Sequence, residues 1–191
     1  MCINPKLSYL GLLIPLTFWP TLLIVAHLTP NYHSLIHLVS QLVIINHQAG
    51  FIFNIGLIIT GFFSLTFSLI LLSLYHRSKI SIWPITLIIL HGLSLIGVGY
   101  YPLPHPAHQW WGSISLFIIF SPIMGIIIWS QSQHKYLRLF FFISISLMIF
   151  GFSLYIPNFL ANYPGLKQRV FHLGWSIWYI YLSLPKLKKF N

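Results

Sequence analysis

Not one of the 191 residues is Asp or Glu, while Lys and Arg together number ten and His another ten. Only 5% of the chain is charged and 57% is hydrophobic, whereas an ordinary soluble domain is about 25% charged. So few charges cannot hold a protein surface in water, and the chain is read as one whose solvent is mostly lipid. The missing acids also exclude whole mechanisms within this chain: a carboxylate acid/base pair, an Asp-supported triad, a carboxylate Mg²⁺ site and an Asp/Glu proton relay.

A membrane-crossing helix needs about 20 mainly apolar residues to span a hydrocarbon core of about 30 Å. Six stretches meet that length: residues 7–28, 49–74, 80–98, 109–130, 137–156 and 166–184. The last is the least apolar, because it opens beside Lys167 and Arg169. Apolar residues run all round these stretches instead of along one stripe, as in helices that face lipid. Pro15, Pro20, Pro84 and Pro122 fall inside or near the ends of spans, where prolines kink a helix in lipid without ending it. The expected fold is all-α: a polytopic six-helix transmembrane bundle, with residues 1–191 forming a single transmembrane domain.

Basic residues orient such a bundle. With a cytoplasmic N-terminus, Lys6, Arg77, Lys79, Lys135, Arg138, Lys186, Lys188 and Lys189 fall inside and only Lys167 and Arg169 outside, a positive-inside bias. Both termini are expected in the cytoplasm, at what is expected to be a bacterial inner membrane. The inner cations suit anionic lipid headgroups. Their place in membrane loops argues against a nucleic-acid partner. The first apolar stretch is longer than a signal peptide's core and no small-x-small cleavage site follows it, so it is expected to stay attached. Cys2 is the sole cysteine, which leaves no internal disulfide.

Helices in lipid associate through close packing and interhelical hydrogen bonds. Gly56, Thr60, Ser64 and Ser68 recur every fourth residue and predict a packing seam on the second span, with Asn54 donating across to another helix. Trp110, Trp111, Trp129, Tyr155, Tyr163 and Trp175 lie near span ends and read as interface anchors.

Most histidines gather at the outer side: His27, His33, His37, His47, His105 and His108. His33 and His37 are spaced i, i+4, which places both rings on one face of a helical turn. That pair, completed by His105 or His108, gives a candidate zinc or copper site. His91 and His172 lie within spans, where an ionisable group is a functional hypothesis by default. They are candidate axial haem ligands, or neutral hydrogen-bonding partners for Ser94, Ser176 or Asn54. No GxSxG, Walker, HExxH or CxxC motif is present.

Four landmarks resemble, in order, a bacterial multi-pass membrane family called domain of unknown function 998. Pro30-Asn31-Tyr32-His33-Ser34-Leu35-Ile36-His37-Leu38-Val39-Ser40-Gln41-Leu42 is similar to its "PGY…H-x-[IV]-S-E-L-G" segment after the first helix. Phe53-Asn54-Ile55-Gly56 resembles the start of its second helix. Gly99-Tyr100-Tyr101-Pro102 with His108 resembles its "G-x-F-P…H" loop, and Gly165-Leu166-Lys167-Gln168-Arg169 its "G-L-x-Q-R" entry to the last helix. The resemblance implies six helices, a loose likeness to FRAG/DRAM-type eukaryotic membrane proteins, and no set reaction. The positions it carries over as a ligand or headgroup site are Ser40, Asn54, His108, Gln168 and Arg169, expected to meet near the outer mouth. The chain departs from the pattern at Gln41, where the family segment carries an acid, and at Val43, where it carries Gly. If that acid pairs with the last helix's Arg, Arg169 here must use Gln41 or a phosphate.

Three functions compete on this reading. A non-enzymatic protein that binds or organises lipid or a small amphiphile is the first. A membrane enzyme with His33, His37, His105 and His108 around a metal is the second. The third is an accessory subunit of a transporter, for which a membrane-protein partner supplies the missing acids; no inverted repeat supports a stand-alone transporter.

Overall fold

The computed structural model describes residues 5–77, 81–129 and 136–184, and these are helical without a strand. A 3-10 segment, Pro5–Leu12, runs into α1 (Leu13–Leu28). After a long connection containing the short α2 (Leu42–Ile45) come α3 (His47–Arg77) and α4 (Trp83–Tyr100). A fourth long segment comprises α5 (Ala107–Ser115) and α6 (Phe120–Trp129), and α7 (Leu137–Phe152) and α8 (Pro164–Ser183) complete the chain. The 3-10 turn Leu116–Ile119 separates α5 from α6. It has a cause in Pro122, which offers no amide hydrogen and whose ring crowds the carbonyl of Ile118.

Five helical segments are long and apolar enough to cross a membrane: Lys6–Leu28, His47–His76, Trp83–Tyr100, Ala107–Trp129 and Leu137–Tyr155. These match the first five expected spans to within a few residues. Large apolar side chains stand exposed along them, among them Leu16, Leu23, Phe51, Phe62, Leu69 and Ile127. The sixth stretch is helical but is not among the five, and its surroundings explain why. Trp175, Trp178 and Tyr179 on α8 are wholly buried, so this helix faces protein where the others also face outward.

Consecutive long helices alternate in direction, which gives the bundle two ends. One carries the connections 29–46, 101–106 and 153–163 and is called here the loop-rich end. The first and last described residues meet at the other, where Ser8 Oγ donates to the Ser183 carbonyl at 3.0 Å. Lys79, His134, Lys135, Lys186, Lys188, Lys189 and Cys2 lie outside the described residues.

The hydrogen bonds of α8 make it the hub of the bundle. The Trp19 indole of α1 donates to Ser176 Oγ at 2.9 Å. Tyr179 shares hydrogen bonds with Ser64 of α3 (2.6 Å) and with His91 Nδ1 of α4 (3.1 Å). The Trp178 indole donates to Ser121 Oγ of α6 at 2.9 Å, and Ser121 donates on to the Pro84 carbonyl at 2.8 Å. Against α7 the contact is steric: Gly174 lies on Met148 and Ser144, and Gly151 on Phe171. Buried polar groups paired across helices supply the specificity that apolar packing alone does not give in lipid.

The small-residue seam on α3 is buried as its spacing predicts, with Thr60, Ser64 and Ser68 all at 0% exposure. Thr60 and Ser68 satisfy their hydroxyls on the carbonyls of Gly56 and Ser64 one turn back. Gly56 meets Thr21 of α1, while Gly61 and Gly92 meet each other between α3 and α4. Two of the expected interface anchors are instead core: Trp129 and Trp175 are 1% and 0% exposed, with indole hydrogens given to the Ser81 carbonyl and His172 Nδ1. Trp110, Tyr155 and Tyr163 are exposed, and Trp111 is half-buried against Gly97.

The glycine contacts predict a contrast. A Cβ at Gly61 would lie 2.7 Å from the Gly92 carbonyl oxygen, so Gly61→Leu should cost about 1–3 kcal/mol through overpacking. A Cβ at Gly112 meets nothing within 4 Å, so Gly112→Ala should be neutral or stabilising by up to about 1 kcal/mol. Unfolding in detergent micelles measures both.

Candidate functional site

At the loop-rich end the connection 29–46 folds down onto the first turns of α8, and the contacts explain two of the sequence landmarks together. Gly165 packs directly on the carbonyls of Ser34 and His37, where any Cβ would collide. The Leu166 amide donates to the Leu35 carbonyl at 2.9 Å. Gln168 Oε1 accepts from the Val39 amide at 2.7 Å. Arg169 donates to the carbonyls of His37 (3.2 Å) and Gly165 (3.1 Å) and to the Tyr32 hydroxyl. The Gly-Leu-x-Gln-Arg run is thus one face of a clasp and the 30–42 segment the other. Asn31 starts the turn with φ at 63°, in the left-handed region that Gly or Asn takes most readily.

Tyr32 is central to this clasp. Burial raises its phenol above the ordinary value, and the Arg169 guanidinium acts the other way. The hydroxyl stays protonated, accepting from Arg169 while donating to the carbonyls of Leu38 (3.2 Å) or His37 (3.4 Å). Lys167, only 2% exposed, turns to the opposite loop and donates to the carbonyls of Ser153 (3.2 Å) and Phe159 (2.8 Å). Ser153 follows the last residue of α7, where a cation is favoured by the helix dipole.

The expected use of Gln41 by Arg169 is corrected by this geometry. Gln41 Oε1 accepts from the Leu38 amide at 2.8 Å, closing its own 3-10 turn. The guanidinium takes carbonyls and a phenol instead. Val43, the other departure, rests on Gly50 of α3, whose missing Cβ leaves it room.

Beneath the clasp lies a cavity of about 390 Å³, within the range of about 300–1,000 Å³ typical of small-ligand sites. It brings together Ser40, Asn54, His108 and Gln168, four of the five positions carried over from the family resemblance. Arg169 is not in its wall. Phe18, Phe53, Leu57, Leu95 and Phe171 form its apolar lining. On α3 its wall runs from Phe53 to Leu57, about 6 Å of helix at 1.5 Å per residue. On one side it is bounded by Gln109, Gly112 and Ser113 of α5 and by Phe152 and Tyr155 at the end of α7. α5 packs chiefly on α4 and α7 chiefly on α8, so this wall is a seam between two helix pairs.

Asn54 is the distinctive residue of the cavity. It is 9% exposed, and among the described residues its carboxamide has no hydrogen-bond partner. The expectation that it donates to another helix is therefore replaced by an amide in the wall of a cavity. His108 Nδ1 donates to the Tyr101 carbonyl at 2.9 Å, which ties the start of α5 to the end of α4 and accounts for the Gly-Tyr-Tyr-Pro…His landmark. Gly99 of the same landmark packs on the Asn54 backbone.

The histidines distribute otherwise than a metal site needs. His33 and His37 rings are 5.8 Å apart, but His37 Nδ1 accepts the His33 amide. His105 Nδ1 accepts the Ala107 amide at 3.1 Å. Among the described residues no three His or Cys side chains gather, so His33, His37, His105 and His108 are not brought together. The rings of His91 and His172 both pack on Trp175. Their partners are Tyr179 and the Trp175 indole, whereas Ser94 and Ser176 bond only the backbone carbonyls of the two histidines. His172, marked as a functional candidate by its place within a span, also lines the cavity. Gln109 had the one available signal, its place beside His108 at a helix start.

Residues 12–185 match the family described as protein of unknown function (DUF998). The chain belongs to this family. No curated protein and no solved structure matches it. The four landmarks of this DUF998 protein converge on one end of the bundle: two are joined by side-chain bonds, and the other two pack together at Gly99 and Asn54.

Loss of the Gln168 side chain in Gln168→Ala should free the Val39 amide and speed its hydrogen exchange about tenfold, the equivalent of about 1.4 kcal/mol. Arg169→Lys should not restore the clasp to an Arg169→Met protein, because an ammonium cannot reach three acceptors with a planar fork. Limited proteolysis within residues 29–46 reads this out: both variants should be cut faster than wild type, and Arg169→Lys cut at the wild-type rate contradicts it.

Proposed function

We propose that this DUF998 protein is a non-enzymatic integral membrane protein that holds a lipid or small amphiphile in the cavity beneath the clasp. Five apolar helices and their mantle of exposed Leu, Ile and Phe favour insertion in a bilayer. The sixth crossing is α8, whose 20 residues give about 30 Å of helix, the thickness of the hydrocarbon core. Its polarity is that of a central helix, satisfied by neighbours. The positive-inside bias puts both termini in the cytoplasm and the loop-rich end outside.

The observation that carries the reading is the Asn54 carboxamide, 9% exposed, without a hydrogen-bond partner among the described residues and in the wall of a ligand-sized cavity. Its polar atoms are not sealed in protein but open into the cavity, so a water or a ligand oxygen can satisfy them there. The metal-dependent alternative has no comparable support.

Asn54→Leu separates a binding role from a structural one. Without ligand, the variant should be as stable as wild type or more so by up to about 1 kcal/mol, because a largely buried amide gives way to an apolar group of similar volume. Lipid extraction and native mass spectrometry of the same variant should show the bound amphiphile lost. A destabilised Asn54→Leu protein with unchanged lipid content would sink the proposal.

A further inference from the structure

We infer that the ligand is an amphiphile with an uncharged, oxygen-bearing head of the acyl-ester or monoglyceride class, which enters sideways between α5 and the end of α7. This rests on the proposed amphiphile site and adds the chemistry of its head and its route.

The head follows from the polar groups in the wall. No Lys or Arg lines the cavity, and the chain holds no acid, so the lining carries neither cation nor anion apart from its histidines. Lys167 and Arg169, on either side of Gln168, donate to carbonyls and the Tyr32 hydroxyl and do not line the cavity. An anionic head seated here would be desolvated with no cation against it, which is costly in a low-dielectric site. A cationic head would lack a carboxylate.

The groups left over are neutral donors and acceptors. Asn54 offers a whole carboxamide. Gln168 commits its Oε1 to the Val39 amide, so its NH₂ remains. The Trp175 indole can only donate, so His172 Nδ1 accepts it and the ring proton lies on Nε2. Ser40 adds a hydroxyl. His108, whose Nδ1 proton goes to the Tyr101 carbonyl, leaves Nε2 as an acceptor, so the lining offers neutral donors and acceptors that suit ester and hydroxyl groups, while Phe18, Phe53, Leu57 and Leu95 suit a hydrocarbon tail.

The route follows from the weakest wall. Gly112 and Ser113 on α5 face the seam, with Phe152 and Tyr155 opposite, 37% and 60% exposed. Nothing lies within 4 Å of a Cβ at Gly112. The end of the cavity is covered by Leu38, Val39 and Ser40, which the clasp holds down. A tail therefore passes more readily through the side, which faces lipid, than through the covered end.

The test uses wild-type protein in nanodiscs and three photoreactive amphiphiles of equal chain length: a monoacylglycerol, a fatty acid at pH 8 and an alkyl phosphate. Peptide mapping should place the monoacylglycerol label on cavity residues of α3, α5 or α8, at least tenfold above either anion. Gly112→Trp, which obstructs the seam, should slow its labelling at least tenfold while leaving the fold intact by circular dichroism. Cavity labelling by the phosphate or carboxylate probe equal to or above the monoacylglycerol overturns the uncharged head and leaves the amphiphile site standing. Unchanged labelling kinetics in a folded Gly112→Trp protein overturns the side route. Labelling of the cavity by none of the three overturns the amphiphile site itself.

Discussion

In a chain without carboxylates, a buried cation can be held only by neutral acceptors, and the head of α8 is built around that constraint. Lys167 and Arg169 sit two residues apart and reach opposite ways, one to the carbonyls of the 153–163 connection and the other to those of the 29–46 connection. Each thereby fastens a loop across the end of the bundle. A carboxylate would have satisfied Arg169 with one side chain; carbonyl acceptors require the backbone itself to come close. Gly165 permits that approach, because a Cβ there would strike the Ser34 and His37 carbonyls. Charge-assisted bonds of this kind contribute about 1.5–3 kcal/mol each, enough to order a connection that has little regular structure of its own.

The clasp and the cavity depend on each other through Val39 and Gln168. Gln168 bonds the Val39 amide with one atom and leaves its NH₂ in the cavity wall. The neighbouring side chains of Leu38 and Ser40 form part of the same enclosure. α8 therefore has two roles that pull its composition the same way. It must bond to α1, α3, α4 and α6, and it must supply polar groups to the cavity. Both make it the least apolar long helix, and neither requires it to touch lipid.

That arrangement separates what was legible in the sequence from what was not. The first five spans were legible because their helices are long and apolar enough to cross a membrane, and the Gly56–Ser68 seam because small residues at every fourth position share one face. The last span read as weak for a real reason: its polarity is satisfied by Ser64, His91 and Ser121, residues distant in the chain. Trp129 and Trp175 read as interface anchors because an indole near a span end has the same sequence appearance whether it meets a headgroup or the core. Four of the five carried-over positions line one cavity, but the resemblance could not say that Arg169 turns away from it. Gln41 was equally ambiguous, since a carboxamide can cap its own turn as readily as reach a distant arginine.

The central claim is that the cavity beneath the clasp is a ligand site completed by something other than protein. A cryo-electron microscopy map of the protein in a lipid nanodisc tests it most directly. The account predicts elongated density in the cavity, with its head within hydrogen-bonding distance of the Asn54 carboxamide and its tail pointing to the seam between Gly112 and Phe152. A cavity closed by repacked side chains, with Asn54 bonded to another helix, would contradict it.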